Sequence, residues 1–409
     1  MKIRTFVLAA TALTALGVQA ALAEETAFDG PYAGVQLGYG TTLYDGSNRS
    51  ANPGDTYVQD FGSHNEPRIG AFAGYSKSFG KFVLSPEAKV VYDHAEMEVW
   101  PSATSKFSLD KEYHFGAGLR AGYLVDPDTL VYVRGDAVRA KFAMSYTGDR
   151  SRQSQFVNGF DAGFGAEVGV GNGLFVRGEY LWTDYGDFDG QNQSYQPFES
   201  MANIALVYRF NDTSKTSESK VADFGGAYVG GQIGYGDANT KELQSDASTN
   251  DSFYYGRPAH GMNGGLYGGY GVMLSRFYVG GEVEANLANY EMEEKVADGT
   301  GAGWKLKNTY GAAARFGYRV ADRTMIYTKL GVVRSEVEYR ATGVSDSDDT
   351  LTGVRGGLGM EFAATDNVMI RGEYTHTAYG SMHYSDADGE PDVIKPRENL
   401  FRVGVAYKF

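Results

Sequence analysis

The chain of 409 residues carries a formal net charge of −14 and no cysteine. Disulfides, thiolate metal sites and a cysteine-linked lipid anchor are thereby excluded, and the acidic balance argues against a nucleic-acid partner. Glycine is abundant at 55 residues, proline is scarce at 10, and 30 Tyr and 23 Phe bring the aromatics to 14%, a composition that suits small membrane barrels with aromatic girdles.

Residues 1–23 read as a signal peptide. Lys2 and Arg4 form a basic start, an apolar stretch runs from Phe6 to Leu16, and Ala21-Leu22-Ala23 fits a small-residue cleavage site. That stretch is too short for a membrane-spanning helix, which needs ~20 residues, and no later run is long enough, so a membrane location requires closed barrels.

The remainder reads as one unit written twice. The segment Phe28-Asp-Gly-Pro-Tyr-Ala-Gly-Val-Gln-Leu-Gly-Tyr-Gly40 returns as Phe224-Gly-Gly-Ala-Tyr-Val-Gly-Gly-Gln-Ile-Gly-Tyr-Gly236. The first unit closes on Ile204-Ala-Leu-Val-Tyr-Arg-Phe210 and the second on Phe401-Arg-Val-Gly-Val-Ala-Tyr-Lys-Phe409. A repeat of this length is a duplicated domain and not a solenoid unit. The expected boundaries are 24–210 for the first barrel, 211–223 for a polar linker and 224–409 for the second barrel.

Taken in chain order, eight segments of alternating polarity are expected in each unit, each of about the ~9–11 residues of a transmembrane strand. In the first they lie at 31–40, 68–76, 82–93, 113–125, 130–141, 157–168, 174–182 and 201–210. In the second they lie at 227–236, 264–272, 276–287, 307–319, 325–336, 351–362, 368–376 and 400–409. Short turns such as Asp126-Pro-Asp128 and Gly171-Asn-Gly173 alternate with long polar connections, for example 41–67, 95–111 and 237–261. That alternation is the pattern of periplasmic turns and outer loops. Period two puts Ile204, Leu206, Tyr208 and Phe210 on a lipid face, and Asn203, Ala205, Val207 and Arg209 on the inner one.

Arg177-Gly-Glu-Tyr-Leu-Trp-Thr-Asp-Tyr-Gly186, Arg371-Gly-Glu-Tyr-Thr-His-Thr-Ala-Tyr-Gly380 and the two Tyr-x-Gly-x-x-x-Gly-Tyr openings resemble the alphaproteobacterial "porin family" of outer-membrane β-barrel proteins. These are eight-stranded surface antigens related to opacity-type and outer-membrane-protein-A-type barrels. The resemblance covers both units and departs from the family in the duplication. It implies a bacterial outer-membrane location and a structural or surface-antigen role without enzymatic activity.

The same parity places a shared set of charges on inner positions: Glu87, Arg120, Glu167, Arg177 and Glu179, repeated as Glu282, Arg315, Glu361, Arg371 and Glu373. An eight-stranded barrel has an interior filled by side chains, so buried charges there must pair. We read them as a salt-bridge plug, in preference to a catalytic carboxylate pair such as Glu167 with Glu179, which would lack substrate access. The closing Val405, Tyr407 and Phe409 are the expected assembly signal.

Two alternatives stay open at this level: a diffusion channel made by merging both units into one sixteen-stranded barrel, and ligand capture by outer loops. Some proteins resembling this family bind haem, and His64, His260, His376 and His383 would then be the ligands. The acidic runs Ser345-Asp-Ser-Asp-Asp349 and Asp386-Ala-Asp388 lack the spacing of an EF-hand. No resident cofactor or metal is expected. The expected partners are outer-membrane lipid and lipopolysaccharide, the barrel-assembly machinery and periplasmic chaperones, with any extracellular partner unspecified.

Overall fold

The computed structural model describes residues 26–48, 58–62, 66–102, 105–146, 152–189, 193–210, 220–246, 251–295, 301–341, 347–385 and 391–409. The expected signal peptide and most of the expected linker lie outside these residues. The first unit contains β1 (Gly30–Asn48), β2 (Val58–Gly62), β3 (Glu66–Phe79), β4 (Phe82–Ser102), β5 (Ser105–Asp126), β6 (Thr129–Tyr146), β7 (Gln153–Gly171), β8 (Leu174–Tyr185), β9 (Phe188–Asp189) and β10 (Gln193–Arg209). The second contains β11 (Gly226–Asp246), β12 (Asp251–Leu274), β13 (Phe277–Lys295), β14 (Gly301–Ala321), β15 (Thr324–Ala341), β16 (Ser347–Ala363), β17 (Val368–Tyr379), β18 (Met382–Ser385) and β19 (Pro391–Lys408).

Each unit closes on itself. Strand β1 pairs antiparallel with both β3 and β10, so β1, β3, β4, β5, β6, β7, β8 and β10 form one eight-stranded barrel. Strand β11 pairs with both β12 and β19 and closes a second barrel through β13 to β17. The sixteen-stranded alternative is therefore not what the chain forms. The opening strand of each copy finds its closing strand within that copy, and the closure removes every free wall edge.

The strands run well past the 9–11 residues expected. Strand β5 has 22 residues and β12 has 24. Much of 95–111 and 237–261, expected as loop, is strand. Polar sequence marks where the lipid ends, and the hydrogen-bonded ladder continues beyond that level as a solvated wall.

The hairpins at the other end are tight. Asn172 and Gly173, with φ of 54° and 73°, both occupy the left-handed region that a two-residue turn requires. The outer face follows the expected parity: Ile204, Leu206, Tyr208 and Phe210 are exposed, while Ala205, Val207 and Arg209 are buried.

Candidate functional site

The interior of each barrel is layered. Phe28, tucked in ahead of β1, packs with Tyr32, Phe72, Val83, Leu130 and Phe175 as an apolar floor in the first barrel. Tyr44, Leu109, Phe142, Tyr185 and Phe188 form an apolar cap toward the other end. In the second barrel Phe224, Tyr267, Tyr278 and Met325 form the floor, and Tyr290, Trp304, Leu306 and Val337 the cap. The repeated Phe-x-Gly opening thus supplies the floor plug of each copy.

Between floor and cap lie the charges. In the first barrel Glu167 joins three arginines: Arg120 at 3.0 Å, Arg177 at 2.9 Å and Arg209 at 2.6 Å. Glu87 meets Arg120, Arg134 and Arg177 at 3.3, 3.0 and 2.8 Å, and Glu179 meets Arg134 at 2.8 Å. Tyr32 donates to Glu87 at 2.9 Å and Tyr132 donates to Glu179 at 2.6 Å, while the Arg120 guanidinium stacks 3.9 Å over the Tyr132 ring.

The second barrel repeats this ring. Tyr228 donates to Glu282 and Tyr327 to Glu373, both at 2.9 Å, and Arg315 lies 3.9 Å over Tyr327. Arg315 reaches Glu282 at 3.4 Å and Glu361 at 2.8 Å, and Arg371 reaches Glu282 at 2.5 Å. All ten charges singled out in the sequence are buried. Glu361 is the least engaged of them. Its counterpart Glu167 is held by Arg209, but the matching Lys408 instead donates to the Asp223 carbonyl.

The ring has more members than the sequence revealed. Lys89 bonds Asp161 and Asp136. The structurally equivalent positions of Lys89 and Asp161 are Glu284 and Arg355, which also form an ion pair. The pair keeps its place and reverses its signs. A comparison limited to charges shared by both copies cannot find such a swapped pair.

Arg68, Asp93, Lys111, His114 and Glu199 add an upper network to the first barrel, with contacts of 2.6–3.2 Å. Inner-face parity, followed along each whole strand, is the signal that reaches them. Among the described residues, the buried inner charges of the first barrel that ion-pair with one another are seven cations (Arg68, Lys89, Lys111, Arg120, Arg134, Arg177, Arg209) and seven carboxylates (Glu87, Asp93, Asp136, Asp161, Glu167, Glu179, Glu199). The corresponding ion-paired set of the second barrel has five cations (Arg315, Lys329, Arg355, Arg371, Arg402) and five carboxylates (Glu282, Glu284, Glu361, Glu373, Glu398), and Lys408, also buried on the inner face, donates to a backbone carbonyl instead. Formal charge balances within each paired set.

Val405, Tyr407 and Phe409 are exposed on the outer face of β19, at 52%, 50% and 74%. His376 hydrogen-bonds Asn399 at 2.9 Å and packs edge-on against Tyr39. His260 packs near Tyr235. His64 lies outside the described residues, as does Asp386-Ala-Asp388, and the His383 side chain is not described. Among the described residues no three side chains cluster in a way that would hold a metal ion.

The model of a family described as "Outer membrane protein beta-barrel domain" matches residues 8–210 and again 214–409. The 25 kDa outer-membrane immunogenic protein of Brucella melitensis is 28% identical over 186 residues, covering 45% of this chain and 78% of that protein. The 31 kDa outer-membrane immunogenic protein of the same organism is 27% identical over 200 residues, covering 45% and 83%. Among solved structures, Neisserial surface protein A overlaps 45% of this chain and 97% of its own at 18% identity and a TM-score of 0.28.

Proposed function

This chain belongs to the outer membrane protein beta-barrel domain family, and from that premise we propose that it is a non-conducting outer-membrane scaffold that presents its extended strands and loops at the cell surface. Both lumens are plugged by paired charge. The observation that carries this is the mutual pairing of buried inner charges, seven cations with seven carboxylates and five with five, between apolar floors and caps. An unpaired buried ion is strongly destabilising, so a water-filled passage would not require such compensation. The reversed pair Lys89–Asp161 and Glu284–Arg355 supports the same reading, since pairing is kept where residue identity is not.

The surface-antigen part rests on the Brucella relatives, which are named immunogenic outer-membrane proteins. We assign the exposed Val405, Tyr407 and Phe409 to recognition by the barrel-assembly machinery, with periplasmic chaperones carrying the chain to it. Outer-membrane lipid and lipopolysaccharide then surround the barrels. No catalytic role is proposed. An epitope inserted within 296–300, between β13 and β14, tests surface presentation: antibody should label intact cells. Labelling only after the outer membrane is opened would reject it.

A further inference from the structure

Several outward-pointing residues are buried although lipid is expected around them. On β1 Leu37 is 60% exposed, but Thr41, on the same face, is fully buried. On β11 Ile233 is 59% exposed and Asp237 only 1%. Ser200 of β10, Tyr180 of β8 and Asn399 of β19 are outward-facing and buried in the same way.

These residues meet each other. Asn399 donates from Nδ2 to Thr41 at 2.6 Å and to Asp237 at 3.0 Å. The Thr41 and Ser200 hydroxyls also hydrogen-bond the Asp237 carboxylate. Nearby, Trp182 packs against Tyr235 and Tyr39 against His376, all near-perpendicular ring pairs. Toward the short turns, Thr129 and Thr324 share a hydrogen bond at 2.8 Å.

The contacts come in matched halves. Thr41 pairs with Ser200 across its strands as Asp237 pairs with Asn399. Ser200 lies opposite Trp182 as Asn399 lies opposite His376. Thr129 and Thr324 each begin the equivalent strand of their barrel. Equivalent residues therefore touch, as across the isologous interface of a symmetric dimer, but here within one chain.

The halves are not identical, and the differences have a direction. Where the first barrel has Ala202, the second has Phe401, whose ring lies 4.5 Å from Phe164 and 4.8 Å from Tyr180. Where the first has Thr41, the second has Asp237.

We infer that the two barrels are locked side by side in the membrane by a polar, approximately twofold seam that selects a first barrel with a second over like with like. Two second barrels would bring two Asp237 carboxylates together without the Thr41 and Ser200 hydroxyls, and like charges so placed repel. Two first barrels would leave the space of both Phe401 rings unfilled, with the loss of packing that a void brings. An Asp237 facing acyl chains would have no partner from the other barrel, whereas the seam supplies two hydroxyls. The short connection between the barrels raises their mutual effective concentration to ~mM, so a modest seam suffices.

The full chain has no native cysteine, which makes a direct trap clean. Thr129→Cys with Thr324→Cys, in cells with an oxidising periplasm, should give an internal disulfide at monomer mass in outer-membrane fractions. Leu37→Cys with Ile233→Cys, equivalent but exposed positions, should stay reduced. Adding Asp237→Lys to the first pair should slow cross-linking about tenfold, the change made by ~1.4 kcal/mol. Phe401→Ala should act in the same direction, with heat-modifiability on the same gel reporting that the barrels still fold. A reduced Thr129/Thr324 pair in folded protein, equal trapping of the control pair, mainly double-mass product, or indifference to both seam substitutions overturns the proposal.

Discussion

Glu167→Ala in the first barrel, set against Glu361→Ala in the second, measures what the inner pairing contributes. The two carboxylates are structural equivalents with different surroundings. Glu167 is fully buried and shared by Arg120, Arg177 and Arg209, all within 3.0 Å. Glu361 is 8% exposed and is bonded by Arg315 at 2.8 Å. Removing Glu167 leaves three guanidiniums around a void and one net positive charge in a paired network that was neutral. Breaking a buried pair in this way costs about 3–5 kcal/mol. With a urea slope of roughly 1–3 kcal/mol/M, the midpoint for the first barrel should fall by about 1–5 M. Glu361→Ala should shift the second barrel by well under half of that, and Glu167→Gln should cost less than Glu167→Ala because an amide oxygen still accepts from one arginine. Equilibrium urea unfolding of full-length protein in detergent, followed by loss of the heat-modifiable band, reads all three. Equal shifts at the two positions, or no shift for Glu167→Ala, would show that the three-arginine contact does not stabilise the barrel.

The reversed pair offers a cycle within one barrel. Lys89→Glu or Asp161→Arg alone should destabilise strongly, and the double variant, which installs the arrangement of Glu284 and Arg355, should recover most of the loss in the same urea assay; additive losses would contradict pairing. Asp128, at the short turn between β5 and β6, has its carboxyl raised above the usual range by burial, then by Asp126 and by Asp322 of the other barrel. A raised folded value stabilises fully below the unfolded value of ~3.9 and fades as pH rises through the folded one. Asp128→Asn should thus increase stability at neutral pH and flatten the gain on acidification, and a pH profile unchanged by the substitution would count against the assignment. Deleting Phe409 should lower outer-membrane levels and leave material in the periplasm, as read by fractionation; unchanged levels would remove the assembly role.

The fold was legible because its signals are local and repeat. Period-two alternation, Asn172-Gly173 and the paired openings at Phe28 and Phe224 each follow from short-range chemistry. What sequence left open was closure, since eight plus eight strands and sixteen strands share one pattern; only the pairing of β1 with β10 decides it. The inner charges were half visible. Glu87 and Arg177 recur in both copies, but Lys89 and Asp161 recur with opposite signs, and Arg209 is matched by a lysine that turns to Asp223. The seam was hidden for another reason: Thr41 and Asp237 share the parity of lipid-facing residues, and only the first barrel, packed against the second, explains a carboxylate there.

Single-channel recording of the refolded full-length protein in planar bilayers tests the central claim, that both lumens are sealed by compensated charge. A quiet membrane is expected, without stable porin-sized steps. Noise or openings are expected only where compensation is broken, as in Glu167→Ala combined with Asp161→Ala. Large, long-lived openings from the wild-type protein would contradict it.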